Sequence, residues 1–228
     1  MKANIYIGRD QKGNKVFIDF TKEDIHSIVL SGESGSGKSI FHSSLYHQLI
    51  QQNTPEQLGF VFLDMTRVDF GNFPYPAYLY KPVIVDIQKA SDCFDKLGKE
   101  SESKSPKSIV IHIEECDLIC NDRKRFEQTW LDITSNTDKN NVFIVFSSSR
   151  CCSDVFTKTI LDNTDLKILF FPKKPQLTGA IYDGYSTCLF GKKLKHTPKE
   201  WQRVLITKKQ EIICQGYLEK EVNEINSF

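Results

Sequence analysis

Three short stretches carry residue types that do phosphate chemistry. The first is Gly32-Glu33-Ser34-Gly35-Ser36-Gly37-Lys38-Ser39, which matches the pattern G-x-x-x-x-G-K-S in full. Glycines let a backbone wrap closely around phosphate without a Cβ in the way. The N–H groups of residues 35–39 then point inward, helped by the positive end of the helix that follows. Lys38 reaches the β- and γ-phosphates and the Ser39 hydroxyl ligates Mg²⁺. The predicted nucleotide-binding set is Gly32, Gly35, Ser36, Gly37, Lys38, Ser39 and Ile40, with ATP and Mg²⁺ as cofactors. The second stretch is the acid pair Glu114-Glu115. In P-loop ATPases the first acid holds Mg²⁺ and the second polarises the attacking water, so Ser39 and Glu114 are the metal candidates and Glu115 the catalytic one. The usual first acid is Asp. Glu114 is one methylene longer, which bears on metal position and turnover. A solvated acidic strand end is the plainer alternative. The third stretch is Ser147-Ser148-Ser149-Arg150, where Ser149 and Arg150 stand as sensors of the γ-phosphate or the attacking water. A simple exit from strand to loop explains it about as well.

The surrounding pattern supplies the elements these residues need. Ile28-Val29-Leu30 is a short apolar strand feeding the glycine loop, and Ile40, Phe41, Leu45 and Leu49 form a helix stripe after it. Gly59 to Met65, Ile109 to Ile113 and Val142 to Phe146 are almost wholly apolar, as strands covered on both faces are. The acid pair ends the second of these and the serines end the third. Tyr6 to Phe20 reads as two short strands around Gln11-Lys12-Gly13-Asn14. Phe70 to Pro82 reads as loop, and residues 87–99, 123–134 and 153–162 as helices. Lys167 to Phe171 is a further strand. The segment from Tyr182 to Glu219 reads as short strands with a turn of helix near Trp201. Strands alternating with helices predict an α/β fold of the RecA-like P-loop NTPase type: a mostly parallel central sheet with helices on both faces.

The chain has 228 residues, which suits one domain over 1–228. Its 30 Lys+Arg and 29 Asp+Glu leave a net charge of +1, without the basic excess of a duplex-binding module. Seven cysteines, an odd count without paired C-x-x-C elements, argue against a disulfide framework or zinc site. No apolar run approaches the roughly 18 residues of a spanning helix. His112 reads as a core histidine, His42 and His47 as surface residues beside the loop's helix, and Lys192-Lys193-Leu194-Lys195 as a solvated turn.

Together these motifs resemble the FtsK/SpoIIIE family of ring-forming ATPases. Ile7-Gly8-Arg9-Asp10, Val16-Phe17-Ile18-Asp19 and Ser27-Ile28-Val29-Leu30 resemble the family's opening. Thr54-Pro55-Glu56 followed by Gly59-Phe60-Val61-Phe62-Leu63-Asp64 resembles its next strand, and Val142 to Arg150 with Ser153-Asp154-Val155 resembles its sensor strand. The resemblance runs from about residue 5 to residue 171. One branch of the family pumps duplex DNA; another comprises the type VII secretion ATPases (EssC/EccC). Glu114-Glu115-Cys116-Asp117-Leu118 is closer to the secretion branch, as are Ser148-Ser149 before Arg150 and the balanced charge. The resemblance implies a cytoplasmic ATPase domain of a longer protein anchored in the bacterial membrane, without direct membrane contact of its own. Its partners would be neighbouring ATPase domains or a homo-hexameric ring, and small helical secreted effectors, with duplex DNA as the alternative cargo of a translocase or conjugation motor. It also implies slow hydrolysis until a neighbour supplies an arginine, for which Arg67, Arg123, Arg125 and Arg203 are candidates within this chain.

Overall fold

The computed structural model describes residues 1–100, 107–115, 122–135, 141–171, 179–191, 202–207 and 210–216. Among the described residues nine strands form one sheet: β1 (Asn4–Arg9), β2 (Lys15–Asp19), β3 (Ser27–Ser31), β4 (Leu58–Asp64), β5 (Ser108–Glu114), β6 (Val142–Ser148), β7 (Leu166–Phe170), β8 (Gln202–Thr207) and β9 (Glu211–Gln215). Their order is β2-β1-β9-β8-β7-β3-β6-β5-β4. The five strands β7-β3-β6-β5-β4 are parallel, and β8, β9, β1 and β2 extend them as an antiparallel wing. The α-helices among the described residues are α1 (Lys38–Gln52), α2 (Ile87–Glu100), α3 (Arg123–Ser135), α4 (Lys158–Asp162) and α5 (Gly179–Phe190).

The apolar runs become strands buried at every position, since β4, β5 and β6 have no partly exposed residue. Alternation within them feeds two cores. Val61, Leu63, Ile109, Ile111, Ile144 and Phe146 face one core, which takes Phe94 of α2 and Trp130 of α3. Phe60, Phe62, Val110 and Val145 face the other, which takes Phe41, Leu45 and Leu49 of α1. Helices therefore lie on both faces, as a buried parallel sheet requires.

Residues 2–6, along β1, are also zipped to α1. Gln48 accepts from the Tyr6 N–H at 2.7 Å and donates to its carbonyl at 3.1 Å. Gln52 does the same for Asn4, and Asn53 for Lys2. Amide side chains thus satisfy backbone groups that a strand edge leaves open.

Two sequence expectations change. The helix expected over 153–162 is only α4; Cys152 to Phe156 form a turn that buries Val155 and Phe156, and Thr157 caps α4 by accepting from the Ile160 N–H. The stretch from Tyr182, read as short strands, begins inside the helix α5. Trp201, Lys192, Lys193 and Lys195 lie outside the described residues.

Candidate functional site

The parallel strands all end at one edge of the sheet. Asp64 of β4 pairs with Glu114 of β5, and Ser31 of β3 with Ser148 of β6. In open α/β sheets this carboxyl edge is where ligands bind. The glycine loop leaves β3 at the same edge and enters α1 through Gly37, whose φ of 95° is left-handed and glycine-favoured. No side chain caps α1, so its first N–H groups face the loop's hollow. Gly32 sits at φ 154°, where an added Cβ would lie 2.8 Å from both the Cβ and the carbonyl oxygen of Phe170.

A cavity of about 490 Å³ opens here. Its wall includes Gly35, Gly37, Lys38, Ser39 and Ile40 of the loop and α1, Asp69 from the turn after β4, and Glu114, Glu115 and Ser149 from the ends of β5 and β6. Of the predicted nucleotide set, Gly32 and Ser36 lie behind this wall, both buried. Lys38 is buried and its ammonium donates to the Gly32 carbonyl at 2.6 Å. Burial pulls its pKa down, and the charges of Glu114, Glu115 and Asp69 push it back up.

The two acids are held differently. Glu115 sits at φ 46°, and its carboxylate is clasped by β6. It accepts from the Ser149 N–H at 3.0 and 3.2 Å, from the Ser149 hydroxyl at 3.0 Å and from the Ser148 hydroxyl at 3.4 Å. The acid and sensor stretches, read separately in the sequence, are thus one unit. Arg150 follows on the exposed side, its N–H donating to the Ser148 hydroxyl at 3.0 Å. It is not among the residues that line the cavity. Glu114 is buried, and its carboxylate lies 2.7 Å from His112 Nε2. The other ring nitrogen of His112 is hydrogen-bonded to the Tyr46 hydroxyl. Burial pushes the Glu114 carboxyl above the usual range and keeps His112 neutral, at about 3.

Asp69 escaped the sequence reading. It comes to the site because Asp64, wholly buried, gathers the turn around its carboxylate. The N–H groups of Thr66, Arg67, Asp69 and Phe70 and the Thr66 hydroxyl all donate to it. Phe70 then stacks on Phe62 at 4.2 Å, pinning the turn to the core. The signal available in the sequence was the spacing Asp64-x-Thr66, an acid and a hydroxyl at a strand end, which is turn-capping chemistry. Asp69 is hydrogen-bonded to Ser39, and its pKa is raised by burial and by the charge of Glu114. Ser39, Asp69 and Glu114 together make an oxygen donor set of the kind Mg²⁺ takes, and the mutual repulsion of the two carboxylates favours a cation between them.

Other expectations are corrected. His42 is not a surface residue: it is 2% exposed, packed on Phe70 and His112. His47 is half-buried, its Nε2 2.6 Å from the Tyr75 hydroxyl. Arg203 is no arginine for a neighbour's site, because it is buried against Phe41 and Phe170 and donates to the Ile7 carbonyl at 3.0 Å. Arg125 is paired with Asp92 and Asp95 of α2, and Arg123 reaches Asp154. Arg67 is exposed at φ 61° on the turn after β4.

The FtsK/SpoIIIE family model matches residues 1–112. Among curated relatives, the DNA translocase FtsK of Helicobacter pylori is 24% identical over 190 residues, covering 72% of this chain and 22% of the relative. FtsK of Lactiplantibacillus plantarum is 30% identical over 98 residues, 43% of this chain and 12% of its own. The chain thus spans less than a quarter of the length of these relatives. Among solved structures, the pCW3 conjugation coupling protein TcpA with ATPγS superposes with a TM-score of 0.73 at 18% identity, over 100% of this chain and 70% of that one. The cytoplasmic domain of the Thermomonospora curvata type VII secretion ATPase EccC gives 0.72 at 13%, over 95% and 26%. ATPases 2 and 3 of EssC from Geobacillus thermodenitrificans give 0.72 at 15%, over 97% and 47%. At such identities these likenesses speak to the fold.

Proposed function

We propose that this FtsK/SpoIIIE-type P-loop ATPase domain binds ATP in the 490 Å³ cavity and hydrolyses it slowly until a neighbouring domain or subunit completes the site. The observation that carries the proposal is that Lys38, Ser39, Asp69, Glu114, Glu115 and Ser149, drawn from four separate segments, line one cavity at the carboxyl edge of the sheet.

In this reading the N–H groups at the start of α1 hold the β-phosphate. Lys38 rotates its ammonium off the Gly32 carbonyl onto the β- and γ-oxygens. Ser39, Asp69 and Glu114 would hold Mg²⁺, which supplies charge neutralisation at the phosphate oxygens. Glu115 accepts a hydrogen bond from the attacking water and orients it in line. Its grip by Ser148 and Ser149 fixes the carboxylate and couples it to the end of β6, so a shift of β6 moves the acid. Arg150, next along the chain, carries that shift toward the surface. Among the described residues no arginine lines the cavity. Charge building on the γ-phosphate is therefore under-compensated, which motivates the need for a partner's arginine, an addition worth about 10³–10⁵ in rate in P-loop enzymes.

For the work done with ATP, we take the cargo to be a helical polypeptide of the type VII effector class. The near-zero net charge and the secretion-type acid motif Glu114-Glu115-Cys116-Asp117-Leu118 support this. The second reading, a DNA motor, is favoured by sequence relatives that are DNA translocases. Phosphate release measured with duplex DNA and, separately, with an amphipathic helical peptide discriminates them. The peptide is expected to stimulate. DNA binding that falls steeply between about 50 and 200 mM salt, with DNA-stimulated release, would move the assignment to the second reading.

A further inference from the structure

Beneath the nucleotide cavity three side chains from different elements converge: His42 of α1, Asp69 of the turn after β4 and Glu114 at the end of β5. One ligand atom from each lies within 4.8 Å of the others. His42 Nε2 is 3.8 Å from Asp69 Oδ1 and 3.9 Å from Glu114 Oε2. His42 is 2% exposed, and neither of its ring nitrogens has a hydrogen-bond partner among the described residues. A buried imidazole in that condition carries the full desolvation cost of two polar atoms. A neutral imidazole nitrogen of this kind is a common metal ligand. Opposite it stand the carboxylates of Asp69 and Glu114, whose like charges a cation between them would relieve. Tyr46 and His112 hold Glu114 from behind through a hydrogen-bonded chain, the kind of support that orients a metal ligand.

We propose that His42 Nε2, Asp69 Oδ1 and Glu114 Oε2 bind a divalent first-row transition metal in the nucleotide-free protein. An ion about 2.1 Å from each donor needs donors about 3.0–3.6 Å apart, so each side chain moves inward by a few tenths of an ångström. The imidazole sets the class. Mg²⁺ takes oxygen ligands and keeps its waters, whereas nitrogen beside carboxylate suits manganese, iron, cobalt or zinc. The site shares Glu114 and Asp69 with the nucleotide cavity but adds a ligand that an ATP-bound Mg²⁺ does not use. The inference concerns binding without nucleotide, so it stands or falls apart from hydrolysis.

The test is Mn²⁺ titration of the metal-stripped chain without nucleotide, read by pulsed electron paramagnetic resonance for nitrogen coupling to the bound ion. One bound Mn²⁺ with a directly coordinated nitrogen is expected, persisting in a tenfold excess of Mg²⁺. His42→Gln should abolish the nitrogen coupling. Asp69→Asn should weaken Mn²⁺ binding by at least about tenfold, the scale of losing a metal contact. Asp69 is only half-buried, so that variant keeps the test decisive should His42→Gln fail to fold. No Mn²⁺ binding without nucleotide, an ion bound through oxygen alone, displacement by Mg²⁺, or affinity unchanged in Asp69→Asn would each overturn the proposal.

Discussion

Asp64→Asn tests whether the turn that carries Asp69 is built as described. Asp64 is fully buried, and its Oδ1 accepts from the Thr66 hydroxyl at 2.7 Å and from the N–H groups of Arg67 at 3.0 Å and Thr66 at 3.2 Å. Its Oδ2 accepts from Phe70 at 2.9 Å and Asp69 at 3.2 Å. An amide keeps one oxygen and turns an NH₂ group toward the other set of donors. With Oδ1 kept, the N–H groups of Asp69 and Phe70 lose their acceptor. Hydrogen bonds to a charged group contribute about 1.5–3 kcal/mol each, and an unpaired buried donor costs about 1–3 kcal/mol. These overlap, so the variant should lose about 3–5 kcal/mol, a large part of a total stability of about 5–15 kcal/mol. Denaturant unfolding at pH 7 reads this directly. The pH dependence adds a sign. Burial alone would raise the pKa of Asp64, but the bonds from Phe70, Thr66, Arg67 and Asp69 outweigh it and hold the folded value below the usual one. The stabilisation is therefore complete above the unfolded pKa of about 3.9 and is lost as pH falls through the folded one. The gap between wild type and variant should stay level from about pH 7 to pH 5 and narrow below about pH 4. A loss under about 1 kcal/mol at pH 7, or a gap that widens in acid, would refute the reasoning.

Three further substitutions have defined outcomes. Gly32→Ala places a Cβ 2.8 Å from the Cβ and carbonyl oxygen of Phe170 at a φ of 154°, and should cost about 2–4 kcal/mol in unfolding measurements and weaken ATP binding. Tyr46→Phe removes the hydroxyl bonded to His112 in a buried network and should cost about 1–2 kcal/mol, read by the same unfolding titration. Ser149→Ala removes one hydroxyl bond to Glu115 but leaves the two from the Ser149 N–H, so single-turnover phosphate release should fall by no more than about tenfold.

The parallel half of the fold was legible because each of its inner strands is an unbroken apolar run ending in a chemical signature: the glycine loop, the acid pair, the serines. The antiparallel wing was less so. Its strands β8 and β9 lie far along the chain, and α5 carries Gly179 and Gly184 with few charged residues to mark a helix face. The shortening of the 153–162 helix to α4 follows from Thr157, whose hydroxyl is worth more as a cap than inside a helix. Positions within the glycine loop follow from its spacing. The clasp of Glu115 by Ser148 and Ser149 does not, because it depends on parallel register between strands 33 to 34 residues apart. His42 was misread because the helix stripe of Phe41, Leu45 and Leu49 is narrower than the buried face. The aromatic turn around Phe70 covers a second strip, His42 and Tyr46, that no periodicity in α1 reveals.

The most direct test of the account is ATP binding and phosphate release followed together in wild type, Lys38→Ala and Glu115→Gln. The account predicts that Lys38→Ala loses ATP affinity, while Glu115→Gln keeps it and loses hydrolysis by on the order of 10²–10⁴-fold. ATP binding that ignores Lys38→Ala, or hydrolysis at the wild-type rate in Glu115→Gln, would contradict it.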